Sequence, residues 1–559
     1  ILKQILGTHL ANIPYHFVMI WIKLLVFLKK ILTANNLAIV LTALFILLTG
    51  NFSLFSRLLE IYPVADSNLL FLISLGIFFA LTSSMLMIAL CHGVMTRWFI
   101  ALTLVLSAQA SFFMDTYGVI IEDVMIANIF QSDTKEISAL LSIGFIARTI
   151  FLGIIPAILA IKFWPKTKET SVELKSKLFI FILSLGILIP TVAPFSADYA
   201  DFIREHKIVR FYANPTYFIY SSGLYIKNKF KSSSSSSIKK IAEDAHFSGG
   251  GEKNELIILV VGETARADRF SLNGYSKTTN PMLQKQSVIS FDNVTSCGTS
   301  TGISVPCMFS SLKRKDFNYD RALQIENVLD VLNDHGVKIL WRDNNSDSKG
   351  VALHVKYEDF KTPTLNPKCD NECRDIGMLS GLDQFIKQNN GHDILIVLHQ
   401  MGNHGPEYYR RYPKEFERFS PVCKNSRLSN CSKSQIDNAY DNAVLYTDYF
   451  LSNTIDFLKK YDGQYETAMF YIADHGESLG EHDIYLHAAP YMIAPKEQTH
   501  VPAILWLGEH FDIKLSQLKE FKSYPLDHGD LFCGLLRAYE LKAEMCEAGK
   551  KNLILPVDD

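Results

Sequence analysis

The chain has 559 residues, a length that excludes one small domain and predicts roughly two to four domains of about 150 residues each. Its formal net charge of −2 argues neither for nor against nucleic acid, and we expect no nucleic-acid partner. Hydrophobic residues make up 48% of the chain, a high share for a soluble protein, and the excess lies in about the first 200 residues.

Five apolar stretches in that region are long enough to cross a bilayer, which takes about 20 apolar residues in a helix. We predict transmembrane helices at residues 37–56, 69–90, 98–114, 143–161 and 178–195. The preceding segment, residues 1–36, is also apolar, but Lys23 interrupts its apolar run. This favours an amphipathic helix at the membrane interface over a sixth span.

The lysines of the membrane region indicate which side each loop faces. Lys29 and Lys30 precede the first predicted span, and five further lysines lie between residues 162 and 177, around the loop between the fourth and fifth spans. The loop between the third and fourth spans is acidic instead. Because positively charged loops stay in the cytoplasm, five crossings from a cytoplasmic N-terminus place everything after residue 195 outside it.

The cysteines support this topology. Eight of the nine follow residue 296, and they occur as near neighbours: Cys297 and Cys307, Cys369 and Cys373, Cys423 and Cys431, Cys533 and Cys546. Their even number and local spacing indicate disulfides, which persist in an oxidising compartment. Zinc knuckles of the CxxC type are absent from the sequence, so a structural zinc site is not favoured.

Residues 196–254 connect the membrane region to the rest of the chain. The first part of this connection, residues 196–230, is amphipathic and rich in aromatic residues, as suits a segment on the membrane surface. A run of six serines and a run of three glycines follow, and both are typical of a flexible linker.

Residues 255–559 have the pattern of an α/β domain. Apolar strands alternate with helical segments, which predicts a mostly parallel sheet sandwiched by helices. The predicted strands are residues 255–263, 337–342, 393–400, 468–476 and 502–508.

Acidic and histidine residues follow three of these strands. Glu263 ends the first, His399 and His404 follow the strand near 393, and Asp474 and His475 end the strand near 468. Each residue alone fits a turn or a helix cap. Because ligands gather beyond the carboxyl ends of parallel strands, their joint occurrence predicts a Zn²⁺ or Mn²⁺ site with nitrogen and oxygen ligands.

A cluster of hydroxyl residues lies between Cys297 and Cys307. A bound metal would lower the pKa of one hydroxyl and align its oxygen for attack, and a helix beginning there would offer N–H groups to an anion. The residues alone do not choose among Thr299, Ser300 and Thr301, and a disulfide loop rich in turn residues is the alternative.

The sequence resembles the lipid A phosphoethanolamine transferases, a family that includes the mobile colistin-resistance enzymes. Motifs matching this family run in order from about residue 37 to 530; they include VVGETARADRFSLNGY, SCGTSTGISVPCMFS, LHQMGNHGP, DHGESLGE and YLHAAPYMIAPKEQ. The resemblance implies a five-helix domain in the bacterial inner membrane and a periplasmic catalytic domain of the alkaline phosphatase superfamily. It also implies transfer of phosphoethanolamine from phosphatidylethanolamine to a phosphate of lipid A, with diacylglycerol released and lower susceptibility to polymyxins.

The resemblance assigns roles to individual residues. Thr301 would be the nucleophile that carries the phosphoethanolamine. One tightly bound Zn²⁺ would be held by Glu263, Thr301, Asp474 and His475. The phosphoryl group or a second zinc would be bound by His404 and His487, with Lys349 in the same pocket and His399 nearby. The donor lipid pocket would contain Asn128, Ser132, where relatives have Thr, and Glu136.

The resemblance also implies the disulfides Cys297–Cys307, Cys369–Cys373 and Cys423–Cys431. A Cys533–Cys546 bond departs from the family pattern, as does the N-terminal segment 1–36, and we expect this bond from spacing alone. We expect a monomer whose partners are the donor and acceptor lipids.

Other functions remain open. The same chemistry could use another acceptor, such as core heptose or a periplasmic glucan, or the protein could be a membrane-anchored phosphodiesterase. A sulfatase is disfavoured because the C/S-x-P-x-R context of its modified nucleophile is absent. An inactive lipid-binding membrane protein is the alternative from a different class, and the intact set of Glu263, Thr301, Asp474 and His475 argues against it.

Overall fold

A computed structural model describes residues 32–131, 140–206, 209–232, 238–249, 253–513 and 515–546. The predicted interfacial segment 1–36 therefore lies almost wholly outside the described residues. The chain forms two compact units. The first combines Ile1–Asp115 with Ile143–Tyr220, and the second combines Thr116–Ser142 with Ser221–Asp559. The loop between the third and fourth predicted spans thus belongs to the same unit as the C-terminal α/β region.

Long apolar helices dominate the N-terminal part of the chain. Among the described residues up to 232, the α-helices are α1 (Ala34–Thr49), α2 (Phe52–Ile61), α3 (Asp66–Leu90), α4 (Thr96–Tyr117), α5 (Asp123–Gln131), α6 (Ile143–Arg148), α7 (Ile155–Phe163), α8 (Thr170–Val192), α9 (Ser196–Glu205) and α10 (Thr216–Ser232). Many of their large apolar side chains are exposed, including Leu48 at 79% and Ile143 at 87%. Such exposure is expected where lipid, not water, is the solvent.

Four stretches of the described residues are long and apolar enough to cross a membrane: Asn68–Leu90, Gly93–Tyr117, Ile143–Phe163 and Thr170–Ile203. They coincide with the second to fifth predicted spans. The first predicted span is instead two helices, α1 and α2, bent by 60°, so the count is five if this pair is one span. The side chain of Asn51, at the bend, exchanges two hydrogen bonds with the backbone of Asn214, of 2.7 and 2.8 Å. Two carbonyls of the broken helix are satisfied by the same pair, since Gly50 O accepts from Asn214 Nδ2 at 3.0 Å and Ile46 O accepts from Asn51 Nδ2 at 3.1 Å.

An eight-stranded sheet forms the centre of the C-terminal unit, in the order β11-β3-β10-β7-β2-β6-β4-β5. The strands of the chain are β1 (His246–Phe247), β2 (Glu255–Gly262), β3 (Ile289–Thr295), β4 (Lys338–Asp343), β5 (Lys356–Asp359), β6 (Ile394–His399), β7 (Glu466–Ala473), β8 (Ser478–Leu479), β9 (Tyr485–Leu486), β10 (His500–Leu507), β11 (Leu526–Asp527) and β12 (Leu541–Lys542). Strands β2, β6 and β7 are buried along their whole length, as expected of central parallel strands.

The predicted mostly parallel sheet is confirmed, with one exception. Strand β10 runs antiparallel to both of its neighbours, β3 and β7, although its apolar sequence resembles that of the parallel strands. Three strands of this sheet, β3, β5 and β11, were not predicted. In β3, Asp292 is half-buried and Asn293 is exposed, so the strand lacks the continuous apolar run of a central strand.

Helices follow or precede most strands of this sheet. They are α11 (Thr301–Met308), α12 (Tyr319–Ala322), α13 (Val328–Asp334), α14 (Leu382–Gln388), α15 (Lys433–Leu458), α16 (Lys496–Thr499), α17 (Leu515–Leu518) and α18 (Leu531–Ala538). The longest, α15, packs against β7. It begins with a capping box in which Ser432 and Gln435 bond each other's backbone N–H groups, so its first turn is well defined.

Disulfides join Cys297–Cys307, Cys369–Cys373, Cys423–Cys431 and Cys533–Cys546. The fourth pair is the one that spacing alone suggested. Cys91, in the membrane region, is buried and has no disulfide partner among the described residues. All four bonds lie in the C-terminal unit, as expected for an oxidising compartment.

Candidate active site

Glu263, Asp474 and His475 lie together because they follow two adjacent parallel strands. Gly262 and Ala473, the last residues of β2 and β7, are paired across the sheet, and Asp474 N donates a 2.9 Å hydrogen bond to Gly262 O. The three side chains are completely buried, and each offers one ligand atom within 4.8 Å of the others. The structure therefore places these three predicted ligands in one cluster.

The imidazole of His475 has its orientation fixed by the backbone. Its Nδ1 lies 2.9 Å from Gly476 O, and because a carbonyl only accepts, Nδ1 must be the donor. In a neutral ring this leaves the lone pair of Nε2 on the opposite side. That atom lies 3.3 Å from Asp474 Oδ2 and 3.5 Å from Glu263 Oε1. A histidine whose second nitrogen bonds a carbonyl is a typical metal ligand.

Thr301 places its hydroxyl at the edge of this cluster. Its Oγ1 lies 3.2 Å from Glu263 Oε2 and 3.4 Å from His475 Nε2. Thr301 is the first residue of α11, and Ser300 before it has the extended backbone of an N-cap residue. The Cys297–Cys307 disulfide links the loop before α11 to the helix itself, which stabilises this turn.

The other hydroxyls of the loop are differently placed. Thr299 Oγ1 donates a 2.7 Å hydrogen bond to Ala489 O. Ser300 Oγ is buried and has no hydrogen-bond partner among the described residues. Of the three hydroxyls that the sequence left open, that of Thr301 is the one that contacts Glu263 and His475.

Glu263 is held by neighbours that the sequence did not reveal. Asn345 Nδ2 donates to Glu263 Oε2 at 2.7 Å, and the Thr264 hydroxyl donates to Glu263 Oε1. Gly402 approaches so closely that a Cβ there would lie 2.7 Å from Glu263 O, and its φ of +51° also favours glycine. Asn345 lies just after β4, in the stretch LWRDNNSDSKG, where the local sequence does not indicate this contact.

The charges of the cluster conflict. Burial alone would raise the pKa of Glu263, but the nearby His475, His404 and His487 lower it to about 2. The pKa of Asp474 is raised well above its usual value, first by burial and then by the negative charge of Glu263. Two buried carboxylates in one site repel each other unless a cation lies between them.

These features fit a bound divalent cation. Asp474 Oδ2 is buried without a hydrogen-bond partner among the described residues, although it faces His475 Nε2. Burial and the neighbouring His487 lower the pKa of His475 to about 3, so its Nε2 presents a lone pair and not a proton. Two carboxylates, an imidazole and a hydroxyl are a donor set that suits Zn²⁺, with Mn²⁺ the other metal favoured by such ligands.

His404 and His487 lie beside the cluster. The ring centre of His487 is 4.5 Å from that of His475 and 5.4 Å from that of His404. His487 Nδ1 lies 3.1 Å from Glu477 Oε1, and Glu477 also accepts a hydrogen bond from the Tyr408 hydroxyl. Glu477 is completely buried and was not assigned a role from the sequence, although it lies in the DHGESLGE motif.

The remaining predicted residues are placed less directly. Lys349 is 7% exposed, and its Nζ donates to Ser346 O at 2.7 Å. His399, at the end of β6, is completely buried, and its Nδ1 lies 2.9 Å from Asp343 Oδ2. Asp343 also accepts a hydrogen bond from Trp341 Nε1, so His399 belongs to a buried network and not to the ligand cluster.

The predicted donor pocket is described only in part. Asn128 lies on α5, while Ser132 and Glu136 fall outside the described residues. Helix α5 packs against α11, the helix that begins with Thr301. The segment that carries Asn128 is therefore close to the helix that begins with Thr301, within one compact unit.

Comparison with known proteins defines the class of protein first. Residues 255–538 match the sulfatase family model, and residues 78–230 match a model described as phosphoethanolamine transferase EptA/EptB. The chain thus combines a sulfatase-like domain of the alkaline phosphatase superfamily with an apolar helical domain.

Individual relatives cover most of the chain. Phosphatidylethanolamine transferase Mcr-2 of Escherichia coli is 43% identical over 479 residues, which are 83% of this chain and 88% of that protein. Phosphoethanolamine transferase EptA of Salmonella typhimurium is 36% identical over 494 residues, or 87% and 89% of the two chains. The structure of the integral membrane protein lipooligosaccharide phosphoethanolamine transferase A from Neisseria meningitidis matches with a TM-score of 0.85 and 30% identity, over 91% and 96% of the two chains.

The chain belongs to the phosphoethanolamine transferase family. It is a multi-pass protein of the bacterial inner membrane with a periplasmic C-terminal domain, as the membrane helices and disulfides predicted.

Proposed function

We propose that the protein transfers phosphoethanolamine from phosphatidylethanolamine to a phosphate of lipid A, through a covalent intermediate on Thr301. The main support is the contact of the Thr301 hydroxyl with Glu263 at 3.2 Å, inside a buried cluster of metal-ligand atoms. The identity of 43% over 479 residues to a phosphatidylethanolamine transferase supports the donor lipid.

In the first half-reaction, Thr301 Oγ1 attacks the phosphorus of phosphatidylethanolamine. A bond forms between Oγ1 and phosphorus, and the bond from phosphorus to the diacylglycerol oxygen breaks. The proton lost by the threonine hydroxyl is balanced by the proton that the departing diacylglycerol oxygen gains. Glu263 accepts the hydrogen bond of the attacking hydroxyl and so fixes the direction of its lone pairs.

In the second half-reaction, a phosphate oxygen of lipid A attacks the same phosphorus, and the bond from phosphorus to Thr301 Oγ1 breaks. The attacking phosphate monoester gives up its proton, and Thr301 Oγ1 gains one. Both steps pass through a centre whose equatorial oxygens carry negative charge, so positioning and charge stabilisation supply most of the catalysis. His404, His487 and Lys349 would bind these oxygens, with the first two as ligands if a second zinc enters. Backbone N–H groups at the start of α11 would offer hydrogen bonds to the same charge.

The residues that would hold Zn²⁺ are Glu263, Asp474, His475 and Thr301. When bound, the metal would lower the pKa of the threonine hydroxyl and offset the charge of the two carboxylates. The hydrogen bond from His475 Nδ1 to Gly476 O keeps Nε2 available as a ligand atom. Asn345 and Thr264 hold Glu263 for the same purpose.

The donor lipid would be recognised by Asn128, Ser132 and Glu136. The carboxylate of Glu136 suits the ammonium group of ethanolamine, and the other two side chains offer hydrogen bonds. The packing of α5 against α11 supports this proposal, since it brings the segment of Asn128 close to the nucleophile helix. The protein would act as a monomer on its two lipid substrates.

Mass spectrometry of lipid A from a host that expresses the protein tests the acceptor. A phosphoethanolamine mass on lipid A, absent with Thr301→Ala, supports the proposal and should accompany a lower susceptibility to polymyxins. Unmodified lipid A beside modified heptose or glucan assigns another acceptor. Release of phosphoethanolamine to water identifies a phosphodiesterase, and no diacylglycerol release under any condition favours an inactive lipid-binding protein.

A further inference from the structure

We infer that Gln498 is a positioning residue that fixes His487 against His475 and so aligns the two imidazoles of the site. This inference rests on the proposed role of His487 in binding the phosphoryl group. Gln498 lies on the short helix α16, just before β10, and is completely buried. It belongs neither to the ligand cluster nor to any role that the sequence predicted.

The backbone on both sides of His487 has a left-handed conformation that its residue types do not favour. Leu486 and Ala488, on either side of the histidine, both have a φ of +65°. Side chains with a Cβ rarely adopt this left-handed region, and a leucine there is an outlier. Two such residues flanking one histidine persist only where surrounding contacts hold them, and residues of this kind are typical of functional sites.

The side chain of Gln498 supplies contacts on both sides of the histidine. Its Nε2 donates to Leu486 O at 3.1 Å, and its Oε1 accepts from Ala489 N at 3.0 Å. Because a carbonyl only accepts and a backbone N–H only donates, the orientation of the amide is unambiguous. Nε2 also donates to Ser478 Oγ at 2.8 Å, opposite Leu486 in the β8–β9 pair.

The backbone of Gln498 connects the same residue to His475. Its carbonyl accepts a 2.9 Å hydrogen bond from Gly476 N, and Gly476 O in turn accepts from His475 Nδ1. One buried residue therefore contacts both histidine segments, whose rings lie 4.5 Å apart. The hydrogen bond from Gly476 N uses the backbone carbonyl of residue 498, so it does not depend on the side chain. A substitution of Gln498 therefore removes the contacts to the His487 segment and keeps the contact to the His475 segment.

Thr299 supplies a second connection, to the nucleophile loop. Its carbonyl accepts from Ala488 N at 2.7 Å, and its hydroxyl donates to Ala489 O at 2.7 Å. Glu477 orients only the ring of His487, through Nδ1. Gln498 instead fixes the backbone from which the ring projects, which is why its loss is expected to move the imidazole as a whole.

The test uses the full chain in detergent micelles and compares Gln498→Met with the wild type. Methionine has a similar shape but keeps none of the three side-chain hydrogen bonds. Amide hydrogen exchange of a peptide covering residues 486–490 should rise, because Ala489 N loses its acceptor. The turnover of labelled phosphatidylethanolamine to diacylglycerol should fall by about 10- to 100-fold, as for other residues that orient a ligand histidine.

A double-mutant cycle separates positioning from a general loss of structure. If Gln498 acts through His487, adding Gln498→Met to the His487→Ala variant should not lower the turnover any further. Asn442→Leu is the matched control: it also replaces a completely buried amide, one bonded to Phe419 O and remote in sequence from the site. It should lower the melting temperature without changing exchange at 486–490 or activity.

Two results would overturn the inference. One is unchanged amide hydrogen exchange at residues 486–490 in Gln498→Met, and the other is a double variant whose loss of turnover equals the product of the losses in Gln498→Met and His487→Ala. If Gln498→Met does not fold, Gln498→Glu serves in the same cycle, since it keeps an acceptor for Ala489 N but loses the donors to Leu486 O and Ser478 Oγ. A wild-type protein that releases no diacylglycerol rejects the proposed function alone, because the exchange measurement still decides whether Gln498 holds the His487 segment.

Discussion

His475 Nε2 lies 3.4 Å from the Thr301 hydroxyl, and this pair joins the two halves of the site. His475 comes from the end of a central strand, where the sheet fixes its backbone. Thr301 comes from a disulfide-bonded turn that starts a helix. A substitution at Thr301 therefore removes the proposed attacking oxygen and one of the four proposed ligands, and it leaves the three ligands at the sheet edge in place.

Thr301→Ala should abolish transfer to lipid A while the protein keeps its fold and its metal. In the proposed reaction the hydroxyl oxygen is the attacking atom, whereas the other three proposed ligands, Glu263, Asp474 and His475, remain in the variant. Thr301→Ser keeps a hydroxyl at this position and should retain measurable activity. Diacylglycerol release, zinc content and melting temperature are measured together. Wild-type activity in Thr301→Ala would remove Thr301 from the nucleophile role.

Asp474→Asn and His475→Ala should each lose tightly bound zinc, measured by elemental analysis of the purified protein. Both side chains are completely buried in the cluster, so solvent cannot replace the missing ligand. A chelator should likewise lower the melting temperature of the wild type, since metal binding to the folded state stabilises it. His510→Ala, at an exposed histidine that pairs with Asp462, is the control and should retain full zinc. Stoichiometric zinc in both site variants would contradict the proposed ligands.

Asn345→Ala should weaken zinc binding by about 10- to 100-fold, the usual effect of removing a partner that orients a ligand. Its amide donates to Glu263 Oε2 at 2.7 Å, and without it the carboxylate keeps only the hydrogen bonds from Thr264 and Thr301 and is held less firmly. The neighbouring Asn344 is also buried, but it bonds Cys373 O and Asp375 instead. Asn344→Ala should therefore cost stability and not zinc affinity, and equal zinc affinities in the two variants would contradict the argument.

The clustering of the candidate metal ligands could be predicted from sequence because these residues directly follow apolar strands. Glu263, Asp474 and His475 are adjacent in the fold for the same reason that they are recognisable in the chain: parallel strands end at one edge. Thr301 could not be selected that way, since Thr299 and Ser300 have the same chemistry in the same loop. Only the family resemblance distinguished it before the structure showed the contact with Glu263.

The supporting residues could not be predicted, because their partners are distant in sequence. Asn345 is 82 residues from Glu263, and nothing in its local pattern indicates that contact. The antiparallel direction of β10 could not be predicted either, because a buried apolar run does not indicate whether a strand pairs parallel or antiparallel. Strand β3 was missed because its last residues alternate between buried and exposed.

The stability of the protein should fall as the pH rises, through a carboxyl pair at the other end of the sheet. Burial, a hydrogen bond with Asp393 and the charge of Asp393 raise the pKa of Glu255 to about 9. Asp393 is itself held by Glu255 N at 3.1 Å and by Asn254 Nδ2 at 2.9 Å, so it stays beside the shared proton.

The sign follows from proton binding. In the unfolded chain Glu255 loses its proton near the ordinary glutamate pKa of 4.5, whereas the folded protein retains it up to about pH 9. The stabilisation is therefore complete below pH 4.5 and is lost progressively towards pH 9, by at most about 1.4 kcal/mol per pH unit.

Glu255→Gln, which is neutral at every pH and can still donate to Asp393, should remove this dependence. The variant should melt at the wild-type temperature near pH 5 and several degrees higher near pH 8. Glu520→Gln, at an exposed carboxyl, should leave the slope unchanged, and an identical slope in Glu255→Gln would refute a shared proton at this pair.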